Sequence, residues 1–286
     1  RLDEVELSYS SQASRETLIR RASLDLTGLP PDPQAVQHFV NNTDPAAYEN
    51  LIDQLLGSPQ YGERWGRHWL DAAGYADSEG QADADVERPW AYFYRDYVVK
   101  SFNQGKPYDQ FVQEQLAGDE LMGGQFADMN AEQVEQLTGT GYLRMVADGT
   151  GSGAGHDEGR NAVVSDTLKM VTTSLTGLTV GCAQCHNHRY DPISQKDYYR
   201  IRAIFEPAMN WKSWKAPQNR QVSLYTNTDR ETKASTEAQI KEIEAERVKK
   251  QQEYIDATFN KEIAKLPEDV QQSVRDAHAV AEKERS

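Results

Sequence analysis

The sequence predicts an all-α fold, an irregular multi-helix domain followed by a long helical arm or hairpin. Three observations carry that expectation. Apolar residues recur at three- and four-residue intervals in stretch after stretch, no segment alternates apolar with polar residues as a half-buried strand does, and Pro or Gly punctuates the ends of the periodic stretches. At 286 residues the chain exceeds one typical domain, and its 38% hydrophobic content can bury a core over the front two-thirds. No internal repeat is visible. The expected division is a polar linker over 1–13, a main domain over 14–215 and a charged helical extension over 216–286.

The elements follow in order. Leu18, Ile19, Ala22 and Leu26 mark a helix that begins at Ser14 and stops at Gly28-Leu29-Pro30-Pro31. Pro33 to Val40 forms a second, ending at Asn41-Asn42. Asp44-Pro45 opens a third, with Tyr48, Leu51, Ile52, Leu55 and Leu56 on its apolar face and Gly57 at its end. From Pro59 to Ala76 a further helix puts Tyr61, Trp65, Trp69 and Ala72 on one stripe, with His68 beside it. Asp77, Glu79, Asp83, Asp85 and Glu87 then make an acidic loop around Gly80. Such a loop can bind Ca²⁺, but the spacing is not that of an EF-hand and a solvated run is the plainer reading.

Arg88-Pro89 opens a helix through Phe102, with Trp90, Tyr94, Tyr97 and Val98 on one face, and Lys106-Pro107-Tyr108 opens another carrying Phe111, Val112 and Leu116. A loose connection from Gly123-Gly124 leads to a short helix over Ala131 to Leu137 and an apolar Tyr142-Leu143-Arg144-Met145-Val146. Residues 147–160 hold five glycines and His156 and read as a mobile surface loop. They lack the G-K-[ST] ending of a phosphate loop. Val163 to Val180 reads as a helix. Ser194 to Asp197 is an acidic variant of the capping box, opening a helix with Tyr198, Ile201 and Phe205 inward. From Glu206 to Asp229 the pattern lapses, leaving Trp211 and Trp214 without an evident partner. Residues 231–265 form a long charged helix. Its stripe of Ile240, Ile243, Tyr254, Ile255, Phe259 and Ile263 is intermittent, which favours a hairpin or docking arm over a coiled coil. After Leu266-Pro267-Glu268 a second charged helix carries His278 at the surface.

The chemistry is concentrated in Val180-Gly181-Cys182-Ala183-Gln184-Cys185-His186-Asn187-His188-Arg189-Tyr190-Asp191-Pro192. Both cysteines of the chain are here, in C-x-x-C-H, the spacing that lets two thiols add to the vinyl groups of a haem while the next imidazole ligates iron. Structural zinc needs four ligands, and no second C-x-x-C or H-x₃₋₅-H exists. A thioredoxin-like dithiol needs a βαβ context, which is absent. The expectation is one covalent haem c, with Cys182 and Cys185 as anchors and His186 as proximal ligand. His188 is too near to round the ring, since two residues span at most about 7 Å. It reads as a partner for a haem propionate or a support for the site. Candidates for the distal position are His68, Met209, His156 and Met170, or the position is open. The Trp stripe reads as core or as a wall of the haem crevice, and Asp71, Asp77, Arg95, Asp96 and Asp119 as salt bridges or pocket groups.

The segment GLTVGCAQCHNHRYDPISQKDYYRIRAIF resembles the cysteine-containing end of the DUF1549 domain, also called planctomycete cytochrome-c-like domain 2. RETLIRRASLDLTGLPPDPQAV, SPQYGERWGRHWLDAAGYADSEG, RPWAYFYRDYVVKSFNQGKPYDQFVQEQLAGDEL and GTGYLRM are similar to further blocks of that family, so the resemblance covers about residues 14–206. Gly74 stands where the family commonly has Arg, and Asn187 where it commonly has Asp. The resemblance implies export to a periplasm or its planctomycete equivalent. It also implies a longer parent protein, with another cytochrome-like domain before this region and a DUF1553 domain after it.

A net charge of −14 and a pI near 4.9 argue against nucleic acid and suit docking to a basic redox partner. No run of eighteen apolar residues is present to span a membrane. The chain begins at Arg1, which suggests a processed or truncated start. Two function classes follow. One is a c-type electron-transfer domain serving a redox partner protein or an adjacent cytochrome domain. The other is the haem part of a periplasmic oxidoreductase or peroxidase-like enzyme, linked to polysaccharide degradation by family context alone. A non-catalytic scaffold is a third.

Overall fold

Eleven α-helices and no β-strand stand among the described residues, so the fold is all-α. The structure is a computed structural model that describes residues 2–6, 8–80, 85–151 and 156–279, with backbone alone at 3, 151 and 156. It divides into two compact units, Arg1–Leu224 and Tyr225–Ser286. No helix among the described residues is long and apolar enough to cross a membrane.

The first unit opens with three short helices. α1 (Arg15–Thr27) starts where the Ser14 side chain accepts the Thr17 N–H, and ends at Gly28, whose φ of 72° is a left-handed turn that suits glycine. α2 (Pro33–Asn41) is capped by Asp32, and α3 (Ala47–Leu56) ends at Gly57. Together they bury Ile19, Phe39, Ala47 and Leu51 in a small core of their own.

α4 (Pro59–Ala73) ends at left-handed Gly74, short of the expected Ala76. The period of its apolar stripe matches the sequence reading, but its phase is shifted by one. The buried positions are Gly62, Gly66, Leu70 and Ala73, while Trp65 is exposed. The two glycines let α5 (Ala91–Asn103) approach closely. A Cβ at Gly62 would overlap the Val99 carbonyl, and the Gly62 N–H donates to Asn103 Oδ1 at 2.8 Å. Trp69 faces inward, its Nε1 donating to Gln115 Oε1 at 2.9 Å and Tyr94 Oη at 3.0 Å. Trp90, expected on the inner face of α5, precedes the helix and is exposed.

α6 (Tyr108–Leu121) and α7 (Ala131–Gly139) pack through Gly118, where any side chain would meet the Gln136 carbonyl. α6 also buries Glu114. That carboxylate pairs with Lys106 and accepts the Tyr97 hydroxyl at 2.8 Å, so its charge is matched. A 3₁₀ turn over Thr140–Arg144 puts Tyr142 and Leu143 into the main core.

The Gly-rich stretch is not a loop throughout. α8 begins at His156 and runs to Thr176, and Asp148 before it is buried. The acidic loop is likewise not simply solvated. Glu79 is buried against Arg88 at 2.6 Å and its Oε2 also accepts the Asp148 N–H. Asp83 lies outside the described residues. α9 (Gln195–Ala208) carries the expected Ser194/Asp197 capping box. Trp211 and Trp214 do have partners. Both pack against the main core, and Trp214 Nε1 donates to Thr150 Oγ1 at 3.0 Å, because the chain after α9 folds back over α8 and the Gly149–Gly151 turn.

In the second unit α10 (Asn227–Ile263) starts at a Thr226/Asp229 capping box and α11 (Glu268–Ala279) turns back on it as a hairpin. His278 is no plain surface residue. It stacks on Phe259 with ring centroids 3.8 Å apart, while Arg275 donates to Asn260 at 2.7 Å. Ile240, Ile243 and Tyr254 are exposed.

Candidate haem site

α8 does not run on to Val180 as the sequence predicts. It stops at Thr176, where Gly177 (φ 69°) donates to the Thr173 carbonyl and Leu178 to that of Thr172, a Gly-capped ending. Leu178 to Val180 lead away, and the motif forms a separate 3₁₀ turn over Gly181–Gln184. Three residues per turn bring residues i and i+3 to one side, which puts Cys182 and Cys185 on a common face. Both thiols are exposed and free of any disulfide.

The residues between them hold the turn down. Ala183 is fully buried with Leu168 from α8, Tyr198 from α9 and Val180 just before the turn. Gln184 Oε1 accepts from Ser165 Oγ at 2.9 Å, and the Gln184 carbonyl accepts from Gln195 Nε2 and Tyr199 Oη. The inner half of C-x-x-C is thus fixed to two helices, and the reactive half faces out.

His186 follows on the same exposed surface. Its Nδ1 lies 2.7 Å from the Asn187 carbonyl oxygen. A carbonyl only accepts, so Nδ1 carries the proton and Nε2 presents a lone pair. Asn187 is held in turn, its Oδ1 accepting the Gln195 N–H at 2.9 Å. The His188 ring is turned inward, its side chain 7% exposed. Nδ1 of His188 accepts the Asp191 N–H at 2.9 Å, and its backbone N–H donates to the Ile193 carbonyl at 2.8 Å. Asp191 Oδ2 also stands 3.2 Å from that nitrogen. One nitrogen is not acceptor and donor at once, and the tighter amide contact fixes it as acceptor, so His188 braces the 188–193 turn.

The other candidates lie elsewhere. His68 is exposed on α4 with its ring against Trp65, centroids 5.5 Å apart, and among the described residues no hydrogen bond or ring contact links it to the cysteine turn. Met209 is 3% exposed in the main core, its sulfur 2.8 Å from Arg144 Nη1. Met170 packs against that core. His156 opens α8, and its side chain is outside the described residues. Asp71 and Asp96 make exposed pairs with Arg67 and Arg95, and Asp77 accepts the Tyr75 hydroxyl at 2.6 Å. Among the described residues no cluster of three His, Cys, Asp or Glu is arranged for a metal ion.

A family model described as PSCyt2, protein of unknown function (DUF1549), matches residues 1–210. The chain belongs to the DUF1549 family. No curated protein and no solved structure matches it. In this DUF1549 chain the groups required to hold a haem covalently, two thiols on one face and an imidazole with its Nε2 bare, are present together. What sequence reasoning missed is the support: Ser165, Gln184, Asn187, Gln195 and Tyr199. Gln184 and Asn187 are adjacent to motif residues, but nothing in the sequence marks them as bonding to α8 and α9.

Proposed function

We propose that the chain is an exported c-type cytochrome domain, carrying one haem on Cys182 and Cys185 with His186 as proximal ligand. The observation that carries this is the Nδ1–H of His186 fixed on the Asn187 carbonyl. Iron-ligating histidines donate their other ring N–H to such an acceptor, which sets the tautomer and ring direction. Covalent haem supplies one-electron chemistry when bound. The protein's share is to hold both sulfurs on one rigid face and the imidazole beside them. Because that face is exposed, a partner can approach it closely. Electron transfer to a basic redox protein or an adjacent cytochrome domain is the reading these features support, in a periplasm or its equivalent where such attachment occurs.

The oxidoreductase reading keeps one support. His68 packs on Trp65 and Met209 is buried against Arg144, and an open distal position permits small-molecule or peroxide chemistry. The deciding measurement is the intact mass of protein matured by a c-type haem machinery, taken after denaturation. An increment of one haem, lost in a C182A/C185A variant, is expected. A mature protein without the increment, or with zinc in its place, overturns the proposal.

A further inference from the structure

Away from the cysteine turn, three arginines converge on one cavity of about 580 Å³, a size typical of small-molecule sites. Two of them are matched by carboxylates. Arg88 Nη2 lies 2.6 Å from Glu79 Oε2, and Arg220 Nη1 lies 2.6 Å from Asp148 Oδ2, close but not aligned as a hydrogen bond. Among the described residues no carboxylate pairs with Arg144. Its polar contact among them is the Met209 sulfur, a weak acceptor that does not neutralise a guanidinium. Burial and then the nearby Arg220 charge push the Arg144 pKa down to about 10, with Asp148 and Asp119 only partly offsetting them. A partly desolvated cation without a counterion is costly. Arg88 Nε and Arg220 Nη2 are also buried donors without an acceptor.

The walls are of another kind. Pro89, Trp90, Met145 and Pro217 line the same cavity, and Trp90 is 55% exposed. A cavity with one unmatched guanidinium and an apolar, aromatic rim fits one kind of guest. We propose that it binds a small monocarboxylate with a flat apolar body, its carboxylate on Arg144 and its body against Trp90. A guanidinium presents paired N–H donors that match a carboxylate, and the indole face covers a planar group. A doubly charged, strongly hydrated anion fits less well, because Glu79, Glu87 and Asp148 also line the cavity and the apolar walls offer it little.

Titration calorimetry on the full chain tests this, with benzoate, benzamide and sulfate as probes. Benzoate should bind at one site, with benzamide and sulfate each at least tenfold weaker. Trp90→Ala, at an exposed position, should weaken benzoate severalfold, and Arg144→Gln should abolish its binding while keeping the helical circular dichroism. The proposal is overturned if benzoate at about 1 mM gives no binding, if benzamide or sulfate binds as tightly, or if Arg144→Gln binds benzoate unchanged. Should Arg144→Gln not fold, the benzoate–benzamide contrast in the wild type and in Trp90→Ala decides. No haem is needed for the readout.

Discussion

Asn187 holds His186 and helix α9 at once: its carbonyl oxygen meets His186 Nδ1 at 2.7 Å, and its side-chain Oδ1 accepts the Gln195 N–H at 2.9 Å. The main chain orients the imidazole, while the side chain ties that piece of main chain to the first turn of α9. On the haem reading proposed above, stability and haem attachment therefore depend on different atoms of one residue.

Asn187→Ala removes only the side-chain acceptor, so it should cost about 1 kcal/mol of stability and leave haem attachment intact. Asn187→Asp keeps the acceptor and adds a negative charge near a helix N-terminus, which favours it by about 0.3–1 kcal/mol. Melting temperatures should fall for Ala and hold or rise for Asp. A loss of covalent haem in Asn187→Ala would show that the side chain, not the carbonyl, aligns His186.

Gly62→Ala tests the α4–α5 contact. The added methyl would overlap the Val99 carbonyl and the Asn103 amide, so the helices must separate, at a cost of about 1–3 kcal/mol. Urea unfolding should show a lower midpoint. Gly74→Ala makes a useful contrast, since nothing lies within 4 Å of its Cβ and only the left-handed φ of 71° opposes the change.

Glu135 gives a pH signature. Burial raises its carboxyl pKa, but bonds from Lys100 at 2.5 Å and Lys106 at 3.0 Å outweigh that and hold it below the ordinary 4.5. A depressed folded-state pKa means the contribution is fully present above the unfolded value and is lost as pH falls through the folded one. Between neutral pH and acid below 4.5, stability should decline less steeply in Glu135→Gln than in the wild type. Equal slopes in urea titrations across that range would remove Glu135 as a contributor.

The sequence made the helical class and most helix starts legible because caps act locally. Ser14 and Ser194 bond amides three residues on, and the local pattern reveals both starts. Phase was less legible. A stripe of Tyr61, Trp65 and Trp69 looks more buried than one of Gly62, Gly66 and Ala73, yet close helix approach makes small residues the inner ones. The Trp214–Thr150 and Glu79–Asp148 bonds join residues 64 and 69 positions apart, beyond the reach of any local pattern. At the site, C-x-x-C-H was plain, whereas the fixing of Ala183 and Gln184 depends on two helices that meet only in the fold.

The distal position gives the last prediction. From sequence, His68 beside two tryptophans was a candidate ligand, and its replacement would then turn a low-spin spectrum high-spin. In the structure His68 is exposed, its ring tilted against Trp65, on a helix whose buried face is formed by Gly62, Gly66, Leu70 and Ala73. To ligate iron at His186 it would have to give up that ring contact, and the close α4–α5 packing at Gly62 holds the helix that carries it. Met209 would have to leave the main core and the Arg144 guanidinium. The haem-loaded His68→Ala protein should therefore keep the wild-type ferric and ferrous optical spectra and EPR signal. A switch from low to high spin in that variant would mean that α4 rearranges when haem is attached. A wild-type spectrum that is itself high-spin, with rapid carbon monoxide binding, would move the assignment from electron carrier to oxidoreductase.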